Sequence, residues 1–133
     1  MPMIKPFHLS MVVADLNKTK EFYVKTLGCE VGREAGTWID ILFFGHQITL
    51  HQEYEGSEAK TIDHFGPILE KNEWEVVLSK LAADNIFFES KPFVRGSGTD
   101  SEMGKYIVKD PAGNSIEFKY YNNFSLTIGE KGS

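Results

Sequence analysis

The feature that most constrains this chain is an internal repeat. Phe7–Val13 is an apolar, β-branched-rich run that reads as a strand. Asp15 can cap a helix that follows to about Leu27, with Leu16, Phe22, Tyr23 and Leu27 as its apolar stripe and Gly28 as its stop. Cys29–Arg33, Trp38–Phe44 and Gln47–Gln52 read as three strands, the last two joined by a turn at Gly45-His46. Residues 53–61 are polar and periodless, a linker. The order then begins again. Asp63–Leu69 reads as a strand, and Asn72 can cap a helix that carries Trp74, Val77, Leu78 and Leu81 to about Asp84. Ile86–Phe88, Lys105–Lys109 and Ser115–Tyr121 read as strands, the last pair joined by the turn Asp110-Pro111-Ala112-Gly113-Asn114. His8 returns as His64 after 56 residues, and Gly28 as Asn85 after 57. Both halves read β-α-β-β-β, so the expected class is α+β.

Three residues stand out in that frame. His8, His64 and Glu117 each lie on a segment read as a strand. Two imidazoles and a carboxylate are a usual set for a divalent metal that keeps positions open for chemistry.

Composition narrows the partners. A chain of 133 residues is the length of one domain, here residues 1–133, with module one at about 5–52, module two at about 62–121 and a tail over 122–133. Apolar residues make up 41% and charged residues 25%, the ordinary globular mix, which argues against disorder. A net charge of −5 with scattered Lys and Arg offers no stripe to neutralise nucleic-acid phosphates and no polybasic patch for a membrane. Cys29 is the only cysteine, so no intrachain disulfide forms. No window is as long and apolar as a membrane span, and Met1–Pro6 lacks a signal-peptide core. The expected location is the cytoplasm.

The pieces Phe7-His8-Leu9, the helix Asp15–Tyr23 ending in Leu27-Gly28, Asp63-His64-Phe65-Gly66, and Asp110-Pro111-Ala112-Gly113-Asn114-Ser115-Ile116-Glu117-Phe118 resemble the vicinal oxygen chelate superfamily. That superfamily includes glyoxalase I, extradiol dioxygenases, fosfomycin-resistance thiol transferases, methylmalonyl-CoA epimerase and bleomycin-binding proteins. The resemblance spans residues 7 to 121 and is closest to small glyoxalase-like proteins without a defined substrate. It implies two βαβββ modules, each a curled mixed-sheet half-barrel with flanking helices. It further implies metal ligands on the first strand of each module and on the last strand of the second, the places held by His8, His64 and Glu117. A homodimer is common in this architecture and is the expected assembly.

Strand alternation gives a separate check. His8, Ser10 and Val12 oppose Leu9, Met11 and Val13; Ser115, Glu117 and Lys119 oppose Ile116, Phe118 and Tyr120; Gln47, Thr49 and His51 oppose Ile48 and Leu50. The proposed ligands fall on the more polar faces each time. The plain alternative is two hydrogen-bonded histidines and a solvated carboxylate. Aligned at the hairpin turns, Thr49 stands opposite Glu117, where the resemblance to glyoxalase I would call for a fourth, acidic ligand. That argues against glyoxalase I activity. His51, two residues on, would be a proton shuttle, as the resemblance to extradiol dioxygenases implies. An ordinary strand-end histidine is the alternative. Tyr106 would donate a hydrogen bond in the site, or else pack in the core. Arg95, opening the loop to Asp100, would clamp an anionic group of the substrate, or else lie on the surface. His46, in a turn, should face solvent.

The expected activity is oxygen-dependent, Fe(II)-based extradiol-type cleavage of a small oxygenated substrate. The alternatives are a glyoxalase- or epimerase-like lyase or isomerase using Zn, Mn, Ni or Co, a thiol transferase, or a metal-free drug-sequestering protein.

Overall fold

The computed structural model describes residues 6–57 and 62–123. The chain divides into two compact units, Met1–Thr61 with Asp110–Gly113, and Ile62–Lys109 with Asn114–Ser133.

In the first unit β1 (His8–Val13) leads into α1 (Leu16–Glu21), which continues as a π-helical turn (Phe22–Thr26). The strands β2 (Glu30–Glu34), β3 (Trp38–Phe43) and β4 (His46–Gln52) follow. The sheet order is β1-β4-β3-β2, with β1 parallel to β4 and the other pairs antiparallel. Asp15 caps as expected: its backbone is extended and its carboxylate accepts from the Lys18 amide at 3.0 Å. Gly28, at φ 79°, takes the left-handed turn that ends the helix. The β3–β4 hairpin closes on Phe44 and Gly45, both at positive φ, one residue earlier than expected, because a two-residue loop of that kind matches the strand twist. The α1 helix packs on β3 and β4, and Leu16, Phe22 and Tyr23 are buried together with Met11 and Val13 of β1, Ile39 and Ile41 of β3, and Ile48 and Leu50 of β4.

The second unit repeats the plan with β5 (Ile68–Leu69), α2 (Lys71–Ala83), β6 (Phe88–Arg95), β7 (Met103–Lys109) and β8 (Ser115–Tyr121), in the order β5-β8-β7-β6. Again the first strand runs parallel to the last. The registers match as well: Leu9 pairs Ile48 in one unit, and Phe65 bridges Ile116 in the other. The βαβββ repeat and the α+β class are therefore as the sequence indicated. Behind β7 and β8 lies an aromatic core of Trp74, Tyr106, Phe118 and Tyr120, tied by the Trp74 indole N–H donating to the Phe118 carbonyl at 2.9 Å.

Three elements differ from expectation. The strand expected over Asp63–Leu69 is regular only at Ile68–Leu69, because Pro67 has no N–H to give the ladder. His64 thus sits just before the isolated bridge at Phe65 rather than on a strand. Asn72 is not a cap, since α2 starts at Lys71 with Glu70 at its cap position and no side-chain cap bond. The strand expected at Ile86–Phe88 runs instead from Phe88 to Arg95 and tolerates Pro92 because it is an edge strand whose register slips between Ser90 and Phe93. Phe124, Leu126 and Ile128, read as a possible added strand, lie outside the described residues. No helix among the described residues is long and apolar enough to cross a membrane.

Candidate metal centre

In the first unit the face of the sheet away from α1 carries a connected polar network. The β1–β4 and β3–β4 registers set His8 beside Gln47, Ser10 beside Thr49, and Asp40 beside Thr49. His8 Nδ1 lies 2.6 Å from Gln47 Oε1. An amide oxygen only accepts, so in the neutral ring Nδ1 carries the proton and Nε2 keeps its lone pair. Gln47 Nε2 in turn reaches Asp40 Oδ2 at 3.4 Å.

Asp40 is buried to 1% exposure in the middle of an otherwise apolar strand. Its carboxylate accepts from the Thr49 hydroxyl at 2.7 Å and from Arg33 Nε at 2.6 Å. Burial pushes its carboxyl up, but the bonds from Thr49 and Arg33, with the Arg33 charge and that of His8, outweigh this and hold it below the usual carboxylate range. The Arg33 guanidinium also lies over the Trp38 ring, 5.2 Å from its centre. Thr49, the counterpart of Glu117, is thus neither acidic nor open: its hydroxyl serves Asp40.

His51 shares this face, in register with Val12 and Trp38, and borders a shallow depression lined by Thr37, Gln52, Glu53 and Tyr54. His46 does more than face solvent, since its Nδ1 accepts the Phe7 amide at 2.8 Å.

In the second unit His64 Nδ1 lies 2.7 Å from Asp63 Oδ2, and His64 Nε2 lies 3.9 Å from Glu117 Oε1. Glu117 extends from β8 with its side chain 11% exposed, and Lys119 Nζ stands 3.8 Å from the same oxygen. The contact with Tyr121, and then Glu117, hold the Lys119 ammonium above its ordinary pKa. Gly66 makes the approach of the 64–66 segment possible. A Cβ there would collide with the Glu117 carbonyl, and the Glu117 amide donates to the Phe65 carbonyl at 2.7 Å.

Tyr106, expected to donate in the site, is turned the other way. It pairs with Phe118, while Glu117 pairs with Ile107, so the two side chains project from opposite faces. The Tyr106 hydroxyl is fully buried and donates to the Trp74 carbonyl at 2.9 Å; burial raises its pKa far above the ordinary phenol value. Arg95 is the exposed last residue of β6. The Gly98 amide in the loop beyond it is already engaged, donating to Glu102 Oε1 at 2.8 Å. Among the described residues of either unit, no group of three His, Cys, Asp or Glu side chains converges within that unit.

Sequence reasoning named His8, His64 and Glu117 as candidate ligands and did not single out the residues hydrogen-bonded to the two histidines. Asp40, Gln47 and Arg33 hold the first-unit face together. The available signal was a single aspartate between Ile39 and Ile41, since a charge in an apolar strand needs partners.

The comparisons agree with this architecture. The family model for the Glyoxalase/Bleomycin resistance protein/Dioxygenase superfamily matches residues 5–118. A protein from Alicyclobacillus acidocaldarius described as a glyoxalase/bleomycin resistance protein/dioxygenase is 29% identical, with a TM-score of 0.73 over 88% of this chain and 91% of that one. A virulence protein from Salmonella typhimurium is 25% identical, with a TM-score of 0.64 over 91% and 99%. A lactoylglutathione lyase from Agrobacterium tumefaciens shares the fold at 20% identity, with a TM-score of 0.68 over 92% and 97%.

Proposed function

Because this chain belongs to the glyoxalase/bleomycin resistance protein/dioxygenase superfamily, we propose that it is an enzyme that works on a small oxygenated molecule with a divalent metal held by His8, His64 and Glu117. The observation that carries the reading is the preparation of both histidines. At matching places in the repeat, each engages a side-chain oxygen through Nδ1 and leaves Nε2 for another partner. The donor set fits within the second unit. Two protein atoms each about 2.1 Å from one ion stand at most about 4.2 Å apart, and His64 Nε2 and Glu117 Oε1 are 3.9 Å apart.

Two imidazoles and one carboxylate suit Fe(II), and a bound ion would supply Lewis acidity toward adjacent substrate oxygens. The leading activity is therefore an extradiol-type dioxygenase. His51 would exchange a substrate hydroxyl proton at a ring nitrogen, and Arg95 would hold an anionic group of the substrate. A lyase or isomerase of the glyoxalase or epimerase kind, using Zn, Mn, Ni or Co, is the second reading. The engagement of Thr49 by Asp40 counts against its glyoxalase I form, which calls for an acidic group there. The protein would act in the cytoplasm as a homodimer, a mass readable by light scattering.

Elemental mass spectrometry of protein purified without oxygen and without a nickel column tests the site. About one iron per chain, lost in His64→Ala, supports the dioxygenase, and an oxygen electrode then screens catechols. Zinc, manganese, nickel or cobalt in that ratio turns the search to oxygen-independent chemistry. Full metal occupancy in His64→Ala, or no metal after each ion is added back, overturns the assignment.

A further inference from the structure

His8 and His64 meet the same requirement by different means. His64 has a carboxylate, Asp63, directly on Nδ1. His8 has an amide, Gln47. A carboxylate can only accept from a neutral imidazole, whereas an amide can turn over and offer its NH2 group instead. With Gln47 turned over, His8 would accept at Nδ1 and carry its proton on Nε2, and the nitrogen proposed for the metal would lose its lone pair. Something must therefore choose the orientation of Gln47.

The group placed to choose is Asp40. It is buried, accepts at both oxygens, and lies 3.4 Å from the Gln47 nitrogen through Oδ2. Turned over, the Gln47 oxygen would face that carboxylate oxygen, an acceptor against an acceptor, in a setting with little water to separate them. Arg33 and Thr49 fix the carboxylate itself, so its orientation is set before Gln47 or His8 is considered. The order of cause runs inward to outward: buried charge, amide orientation, imidazole tautomer.

We propose that Asp40 is a positioning residue for His8: through Gln47 it selects the Nδ1–H tautomer and keeps the Nε2 lone pair outward. Its functional consequence rests on His8 being a metal ligand, but the tautomer itself does not. A further consequence is that the two histidines differ in robustness. Asp63 is 95% exposed and its bond to His64 competes with water, while the support of His8 ends on a buried charge.

The test uses metal-free full-length protein with 15N-labelled histidine, read by two-bond 1H–15N correlation spectra about two pH units above the ordinary histidine pKa of about 6.5. Wild-type His8 is expected to carry its proton on Nδ1. Gln47→Leu, which leaves Asp40, Arg33 and Thr49 in place, is expected to move it to Nε2. Asp40→Ala is expected to give a mixture of both forms. Wild-type His8 protonated on Nε2, or an unchanged tautomer in a folded Asp40→Ala protein, overturns the proposal. Should Asp40→Ala fail to fold, the wild-type protein still decides. Cross-relaxation from the Gln47 side-chain amide protons to the Asp40 β-protons supports the proposal, and cross-relaxation to the His8 ring instead overturns it. Chelator competition then reads the consequence, a loss of metal affinity of about 10–100-fold in Gln47→Leu. If wild-type protein binds no metal at all, the proposed function fails while the tautomer result stands.

Discussion

Tyr106 and Glu117 stand on neighbouring strands of one sheet and project from opposite faces, and that decides which of them can meet a ligand. Both lay on strands in the sequence, but the face each one took depended on a register that no local pattern states. Tyr106→Phe should leave metal binding within about twofold of wild type. It should cost about 0.5–1.5 kcal/mol in denaturant unfolding, because one buried hydrogen bond is lost while the Trp74 carbonyl keeps its place in the α2 ladder. Glu102 makes a second prediction at this scale. The Gly98 amide, the Tyr120 hydroxyl and Lys71 hold its carboxyl down at about 2, against an ordinary 4.5. A carboxyl lowered on folding adds stability that is complete above its unfolded value and is lost as pH falls through its folded one. Stability should therefore decline between about pH 4.5 and 2, and urea midpoints of Glu102→Gln across that range should decline less. Asp40, lowered in the same direction, adds to the same acid-side loss.

The helices and most strands were legible because their signals are local. Asp15 and Gly28 bracket the first helix, and alternation marks β1, β4 and β8. Where the reading slipped, the local signal did not decide the outcome. Asn72 has the chemistry of a cap, yet α2 begins before it. The strand read at Ile86–Phe88 runs instead over Phe88–Arg95, passing through Pro92 at an edge. The segment before α2 is the clearest case, since its conformation is set by β8. Gly66→Ala should force the 64–66 segment away from the Glu117 carbonyl. The expected cost is about 1–3 kcal/mol in a thermal or denaturant melt, with weaker metal retention in chelator competition. An alanine variant as stable and as metal-loaded as wild type would show that this close approach is not needed. Asp15→Ala, by contrast, should cost only about 1 kcal/mol, since it removes a single cap bond.

For the whole molecule the repeat was the strongest signal, and the class and family followed from it. The donors of the candidate site were legible as residue types at equivalent positions. Their supports, Asp40 and Gln47 for His8 and Asp63 for His64, were not, because hydrogen bonding across strands or around a turn has no sequence period. If metal binds only the folded chain, adding it at about 100 times its dissociation constant should stabilise the protein by about 2.7 kcal/mol. That rise should appear in thermal melts and vanish in His64→Ala. The shared register also bears on how such a chain could change. Thr49 and Glu117 are counterparts, but Thr49 donates to a buried, ionised Asp40. A glutamate introduced at 49 would set one carboxylate against another and remove a donor at the same time. Gaining a second acidic group there therefore takes two coordinated substitutions, with position 40 changing first or together with 49. Asp40, a residue that would touch no metal, therefore sets the order in which the proposed site could gain a fourth donor.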